Sequence, residues 1–149
     1  MQDRQIVLTR FINAPVQVVW KCWTDPAILP QWFGPQGYSC TTKEIDLRAG
    51  GQWRFDMIGP DGTVWANRHR YHVMEPYGRI EFLMDADSDD DVPKEVVVDL
   101  TPEDGGTRLV QTMTLASKAE RDGALGYGAD KLGATTMAKL AAMAEAMVV

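Results

Sequence analysis

The sequence predicts an α+β fold in which a curved antiparallel sheet of about seven strands wraps around a long C-terminal helix, with two short helices after the first strand. Three observations carry this prediction. Apolar and polar side chains alternate from residue 38 to residue 116, which is the period of strands. Turn signals rich in glycine and proline divide that stretch into hairpin lengths. From residue 129 onward the apolar period becomes helical, and only this helix is long enough to cover the buried face of the sheet.

The N-terminal part predicts one strand and two short helices. Residues 5–12 are rich in β-branched side chains and indicate a strand. Residues 13–15 then supply a capping asparagine and a proline, both typical of a helix start. The large apolar side chains that follow have helical spacing: Val16, Val19, Trp20 and Trp23. Asp25-Pro26 repeats the start signal for a second helix, which Gly34-Pro35 ends.

Six further strands and the C-terminal helix follow. The strands are expected at about 38–47, 52–58, 63–75, 79–85, 94–101 and 107–116. Residues 117–120 have the spacing of a capping box and therefore start a helix. Gly123, Gly126 and Gly128 weaken that helix, so we expect an interruption before the long helix continues from Ala129.

Length and charge limit the classes of function. The 149 residues are the size of one domain, so we expect a single domain over residues 1–149. Fifteen basic against twenty-one acidic side chains give a net charge of 15 − 21 = −6. A negative surface without a basic cluster repels phosphate backbones and anionic lipids. We therefore expect neither a nucleic-acid partner nor a membrane partner.

The sequence also predicts a compartment. No run of eighteen apolar residues occurs, and the first fifteen positions carry charged side chains, so we expect neither a membrane span nor a signal segment. Cys22 and Cys40 are too far apart for a Cys-x-x-Cys motif, and we expect free thiols in a reducing environment. The expected location is the cytoplasm. The sequence leaves open whether the chain is a monomer or a homodimer.

Four motifs, in order along nearly the whole chain, carry a resemblance to a known family. Residues 14–26 read A-P-V-Q-V-V-W-K-C-W-T-D-P, and Trp32 is followed by Gly34-Pro35. Residues 46–53 read D-L-R-A-G-G-Q-W, and residues 106–109 read G-T-R-L. Together these motifs resemble the activator of heat-shock-protein-90 ATPase-like family, within the START-related helix-grip superfamily.

The resemblance implies a helix-grip fold whose space between sheet and long helix holds apolar or aromatic small molecules, sometimes with catalysis. Contact with a chaperone ATPase is implied only by family analogy, because the second domain that accompanies such activity is not expected here. One motif departs from the family. Relatives often carry a tryptophan near the last helix where this chain has Ala134. We expect that the missing indole leaves the pocket open.

The turn at residues 60–62 predicts the register of one hairpin. With Gly62 left-handed, three pairs share one face of the sheet: Met57 with Trp65, Phe55 with Asn67, and Trp53 with His69. The next turn, at residues 76–78, would instead place His72 on that face. A bulge within residues 66–74 would reconcile the two registers. The sequence leaves open which of the two histidines faces the cavity.

We therefore expect an aromatic-lined cavity with a few inward polar groups, which is typical of small-molecule sites. Its expected lining consists of Trp53, Phe55, Met57, Trp65, Asn67, His69, Tyr71, Phe82, Met84, Val98, Gln111, Met113, Tyr127, Ala134 and Met137. Asn67, His69 and Gln111 are the polar candidates, and hydrogen bonding within the core is the more ordinary role of each.

Two functions from different classes follow. The first is a non-enzymatic protein that binds a small apolar or aromatic molecule. The second is a cyclase, dehydratase or hydrolase-like enzyme that uses His69 or another polar group of the pocket as general acid or base. A third, a module that contacts a chaperone ATPase, rests on the resemblance alone.

No catalytic residue, metal ligand or cofactor site is assigned. The acidic run 85–91 lacks the glycine and the glutamate that an EF-hand loop needs at its sixth and twelfth positions, so we expect a solvated hairpin tip. The glycines of residues 123–128 have the wrong order for a dinucleotide fingerprint. The chain contains only two histidines, His69 and His72, which a regular strand would point to opposite faces, so we do not expect a zinc site.

Overall fold

A seven-stranded antiparallel sheet dominates the computed structural model, which describes residues 2–148, and the predicted helix-grip architecture is confirmed. The strand order is β1-β7-β6-β5-β4-β3-β2, so six strands form a meander and β1 joins its far edge. The strands are β1 (Gln5–Ile12), β2 (Ser39–Ile45), β3 (Gln52–Ile58), β4 (Val64–Glu75), β5 (Arg79–Asp85), β6 (Lys94–Glu103) and β7 (Gly106–Thr114).

Four helices and one N-terminal 3₁₀ turn complete the fold. The helices are α1 (Val16–Thr24), α2 (Leu29–Trp32), α3 (Lys118–Gly126) and α4 (Ala129–Ala146). The expected interruption separates α3 from α4, because Gly128 adopts a left-handed φ of 88°. Ser117 caps α3 as expected, since its hydroxyl accepts a hydrogen bond from the Glu120 amide, while the Glu120 carboxylate accepts from the Ala116 amide. Within residues 2–148, no helix is long and apolar enough to cross a membrane.

The concave face of the sheet and the helices share one core. Trp23 and Trp32 are buried, as expected for the helix pair, and their rings meet edge to face at 4.8 Å. The Trp32 indole donates a hydrogen bond to the Cys22 carbonyl at 2.9 Å, which ties α2 to α1. Helix α4 contributes buried side chains from Met137 and Leu140. This packing covers most of the concave face and leaves one end of the sheet less covered.

The predicted register of the β3–β4 hairpin is confirmed at every pair. Met57 lies opposite Trp65, Phe55 opposite Asn67 and Trp53 opposite His69. A register shift then occurs between Tyr71 and Val73, so the predicted bulge is present at His72. The bulge turns His72 toward solvent and leaves His69 buried. The structure thus places His69, and not His72, on the concave face of the sheet.

A pair of glycines holds the turn between β2 and β3 against β4. The Gly50 amide donates to the Tyr71 carbonyl at 2.9 Å, and the Tyr71 amide donates to the Gly51 carbonyl at 3.0 Å. Gly50 has a left-handed φ of 86°. A Cβ on Gly51 would collide with the carbonyl oxygen of Asp46. Both glycines therefore serve the backbone path of this turn.

Candidate functional site

A cleft of about 450 Å³ opens at the end of the sheet where β3, β5 and β7 end. Its second wall comes from the loop after α2, from α3 and from the first residue of α4. The lining comprises Ile6, Pro35, Tyr38, Met57, Trp65, Ala66, Asn67, Met84, Asp85, Ala86, Asp91, Lys94, Met113, Leu115, Ala124, Tyr127 and Ala129. The space therefore lies between the sheet and the C-terminal helices, where the fold prediction expects a ligand.

Three methionines and two exposed aromatic side chains give the cleft its apolar character. Met57, Met84 and Met113 come from three different strands and are half-buried. Trp65 and Tyr127 expose 55% and 74% of their surface. Methionine is unbranched and polarizable, so such a lining adapts to ligands of different shape.

The structure divides the fifteen predicted site residues into three groups. Those that line the cleft are Met57, Trp65, Asn67, Met84, Met113 and Tyr127. Those that lie in the core, away from the cleft, are Trp53, Phe55, His69, Tyr71, Phe82, Val98 and Met137. Those that do neither are Gln111 and Ala134. The alternation of the strands predicted the correct face of the sheet, but not how much of it the helices fill.

Ala134 corrects the expectation of a pocket opened by a missing indole. Its side chain is exposed on α4 and does not line the cleft. The reason is the rotation of the helix about its axis. Gly133 packs so closely on β1 that a Cβ there would lie 2.6 Å from the Leu8 side chain, and Met137 is buried. Because Gly133 and Met137 face the sheet, Ala134 points toward solvent.

Several lining residues were not predicted. Pro35 and Tyr38 come from the loop after α2, and no periodic pattern places them. Lys94 was also missed, although the alternation of Val96 and Val98 along β6 extends back to it. Cross-strand pairing places Lys94 directly opposite Met84. Extending the register one pair further along β5 and β6 would have found this residue.

His69 is buried behind the cleft, surrounded by aromatic rings. It stacks on Phe82 and meets the edges of Phe33, Trp53 and Phe55 at centroid distances of 5.0 to 5.3 Å. Its Nε2 has no hydrogen-bond partner. Burial lowers the pKa of His69 to about 3, with the carboxylate of Asp85 acting weakly in the opposite direction. A neutral ring without access to the cleft does not serve there as a general acid or base.

The acidic run at the end of β5 is partly bound to the sheet, which corrects the expectation of a solvated tip for Asp85 and Asp87. The Asp85 side chain is fully buried and accepts hydrogen bonds from Arg68 at 2.7 Å and from Arg70 at 3.0 Å. Asp87 accepts from Arg54 at 2.9 Å. Asp90 remains exposed, as expected. Three arginines on the outer face of β3 and β4 therefore fix the loop that carries Ala86 and Asp91 into the cleft wall.

A lysine of α4 fixes the opposite wall. The Lys139 ammonium donates to the carbonyl oxygens of Gly34, Pro35 and Tyr38 at 3.1 to 3.4 Å. Burial lowers the pKa of Lys139, while the neighbouring Cys40 acts in the opposite direction. Pro35 and Tyr38 both line the cleft, so the cleft has anchored loops on two sides.

The two cysteines are poor nucleophiles at neutral pH, because their thiols stay protonated. Burial raises the pKa of the Cys22 and Cys40 thiols to about 11 each. A nearby lysine lowers each pKa, but by less. Both cysteines are free. In the part of the chain that the structure describes, no group of three or more histidine, cysteine, aspartate or glutamate side chains is arranged to hold a metal ion.

Comparison with known proteins places the chain in a family. A family model described as Activator of Hsp90 ATPase homolog 1-like protein matches residues 13–145. No curated protein sequence matches. Among solved structures, protein Ms6760 from Mycobacterium smegmatis is 27% identical with a TM-score of 0.86, and the match covers 97% of this chain and 93% of that one. Protein CV1439 from Chromobacterium violaceum is 26% identical with a TM-score of 0.75, covering 93% and 96%. A protein from Arthrobacter aurescens, 22% identical with a TM-score of 0.87, covers 99% and 89% and shows the fold alone.

Proposed function

Because the chain belongs to the Activator of Hsp90 ATPase homolog 1-like protein family, we propose that it is a non-enzymatic protein that binds a small apolar or aromatic molecule in the cleft between the sheet and the C-terminal helices. The cleft volume of about 450 Å³ is within the usual range for small-molecule sites. The lining combines apolar side chains, such as Met57 and Met84, with a few polar ones, such as Asn67 and Lys94.

The observation that carries the proposal is the exposure of Trp65 and Tyr127 at the same cleft. Large aromatic side chains that stay in contact with water forgo hydrophobic stabilisation, which scales with the apolar area removed from water. A ligand in the cleft would cover both rings. Met57, Met84 and Met113 form an adaptable floor beneath such a ligand.

The placement of His69 speaks against the enzymatic alternative. A cyclase, dehydratase or hydrolase-like reaction needs a proton donor or acceptor that reaches the substrate. His69 does not line the cleft, and burial lowers its pKa to about 3, so the ring is neutral at pH 7. We therefore assign no catalytic residue.

A fluorescence titration tests the proposal. N-phenyl-1-naphthylamine, a neutral aromatic probe, should bind at one saturable site and quench tryptophan emission by energy transfer. Trp65→Phe should remove much of the quenching, because Trp65 lines the cleft. Trp20→Phe is the matched control: this half-buried indole packs on Tyr77, 6.1 Å between ring centroids, and does not line the cleft. Absence of saturable binding would overturn the proposal.

A contact with a chaperone ATPase is the second candidate, and one observation favours it. Val7 and Phe11, two large apolar side chains, are exposed on the outer face of the edge strand β1, away from the cleft. If they contact such a partner, replacing both with serine should abolish stimulation of the ATPase without changing probe binding. If the native chain does not change the ATPase rate, this candidate function is wrong.

A cytoplasmic location is part of the same proposal. Both cysteines are free thiols. Free thiols persist in a reducing compartment. Fractionation of the cells that produce the protein tests this assignment.

A further inference from the structure

Lys94 is the one cation among the described residues that line the cleft. It begins β6 and lies directly opposite Met84 of β5. The next pair on the same face of the sheet, Phe82 with Val96, is buried on the concave side. Since side chains alternate along a strand, Lys94 lies on this concave face too, at the open end. The sheet thus pairs Lys94 with Met84, a methionine of the cleft floor.

The Lys94 ammonium group differs from five arginines of the sheet. The arginines at positions 54, 68, 70, 79 and 108 each form an ion pair with an aspartate or glutamate. Within residues 2–148, no carboxylate oxygen lies within 4 Å of the Lys94 ammonium. A half-buried lysine without a counter-ion is notable in a chain whose net charge is −6.

The acidic side chains of the cleft wall are already engaged elsewhere. Asp85 accepts hydrogen bonds from Arg68 and Arg70, and its side chain is fully buried. Asp91 accepts a hydrogen bond from the Ala86 amide at 2.9 Å, which fixes this carboxylate on the loop. Neither neutralises Lys94 by direct contact. The cleft therefore combines an apolar floor with one positive charge that lacks a direct partner.

We propose that the ligand of this cleft is an amphipathic carboxylate, and that Lys94 pairs with its carboxylate while the apolar or aromatic body lies on Met57, Met84 and Met113. The inference rests on the proposed function and names the chemical class of its ligand. A charge-assisted hydrogen bond at a partly buried site is stronger than a neutral one. Neutral and cationic molecules with the same apolar body lack this interaction.

Three ligands with the same ten-carbon chain test the inference on the full chain at pH 7. Decanoate, decan-1-ol and decylamine compete for the cleft with N-phenyl-1-naphthylamine, each below its micelle concentration. We expect decanoate to bind about tenfold more tightly than decan-1-ol, the size of one charge-assisted hydrogen bond. Decylamine should bind no more tightly than decan-1-ol.

Variants assign the effect to Lys94. Lys94→Gln should remove the tenfold preference for decanoate over decan-1-ol. Lys94→Arg, which keeps the charge, should retain most of the preference. Lys21→Gln removes the same charge from an exposed position on α1, away from the cleft, and should leave the preference unchanged. Thermal melts and probe binding verify that each variant is folded.

The outcomes separate the inference from the proposed function. If the probe itself does not bind, the proposed function fails and the inference fails with it. If decan-1-ol or decylamine displaces the probe as well as decanoate does, the cleft binds apolar molecules and the carboxylate inference is overturned. A preference for decanoate that survives in Lys94→Gln would overturn the role of Lys94.

Discussion

The imidazole of His69 stacks on the ring of Phe82, with ring centroids 4.4 Å apart and an angle of 26° between the planes. The contact joins β4 to β5 beneath the cleft floor, because Met84, the next inward residue of β5, lies directly opposite His69 and lines the cleft. A polar ring that packs as an aromatic core residue contributes to stability only in its neutral form.

The first prediction follows from this contact and concerns stability against pH. The pKa of His69 is about 3 in the folded chain, against about 6.5 in an unfolded one. The unfolded state therefore binds more protons between these values. The contribution of His69 to the free energy of unfolding is therefore fully present above pH 6.5. It is lost as pH falls toward 3, at up to about 1.4 kcal/mol per pH unit. Urea unfolding at pH 7, 6, 5 and 4 measures this slope.

Matched variants isolate the contribution of His69. His69→Phe should reduce the slope between pH 6.5 and 4, because the titrating group is gone. His72→Phe makes the same change at an exposed position and should leave the slope as it is. An NMR titration that returns a pKa near 6.5 for His69 would contradict the prediction.

The second prediction concerns Gly51. Gly51→Ala should lower the free energy of unfolding by roughly 1–3 kcal/mol, because its Cβ would collide with the Asp46 carbonyl. Gly126→Ala is the control: a Cβ there meets no atom within 4 Å, and alanine in α3 should stabilise by roughly 0.5–1 kcal/mol. Probe affinity should be unchanged in both, since neither residue lines the cleft. A loss of binding at unchanged stability in Gly51→Ala would reverse its assigned role.

The third prediction compares two alanines of α4. Ala129 lines the cleft, whereas Ala134 is exposed on the same helix. Ala129→Trp should fill the cleft and weaken probe binding at least about tenfold, because the indole occupies the volume of the ligand. Ala134→Trp should leave probe affinity within about twofold. Equal effects of the two substitutions, measured by fluorescence titration, would argue that the binding site lies elsewhere.

The fourth prediction concerns the buried carboxylate of Asp85. Burial by itself would raise the pKa of Asp85, but Arg68 and the Asp87 amide, followed by Arg70, hold it below its usual value. Asp85→Asn should lower the free energy of unfolding by roughly 2–3 kcal/mol, because two guanidinium groups lose their charged partner. It should also speed amide exchange in residues 86–91. Asp90→Asn, at an exposed position, should stay within roughly 0.5 kcal/mol of the native chain.

Local signals account for how well the elements were predicted. Residues 5–12, 52–58 and 79–85 are strands with the predicted bounds, because alternation and turn residues act over a few positions. The β3–β4 register also followed from local geometry, since Gly62 adopts the left-handed φ of 86° that the turn requires. From this register, Met57 and Trp65 were correctly assigned to the cleft face.

Side-chain placement between elements was less predictable. The rotation of α4 depends on how Gly133 packs against Leu8, more than a hundred positions earlier in the chain, and this contact turns Ala134 outward. The acidic run is held by Arg54 and Arg68, which lie on other strands of the sheet. Such contacts carry no local sequence pattern.

By itself, the sequence determined the order of strands and helices, the inward face of β3 and of the first half of β4, and the need for a bulge within residues 66–74. Only the tertiary structure decided that His69 lies behind the cleft and that Lys94 lies in it. The physical reason is the range of the interactions. Periodicity and turn chemistry are local, whereas the open volume of a curved sheet depends on how far α3, α4 and two anchored loops cover it.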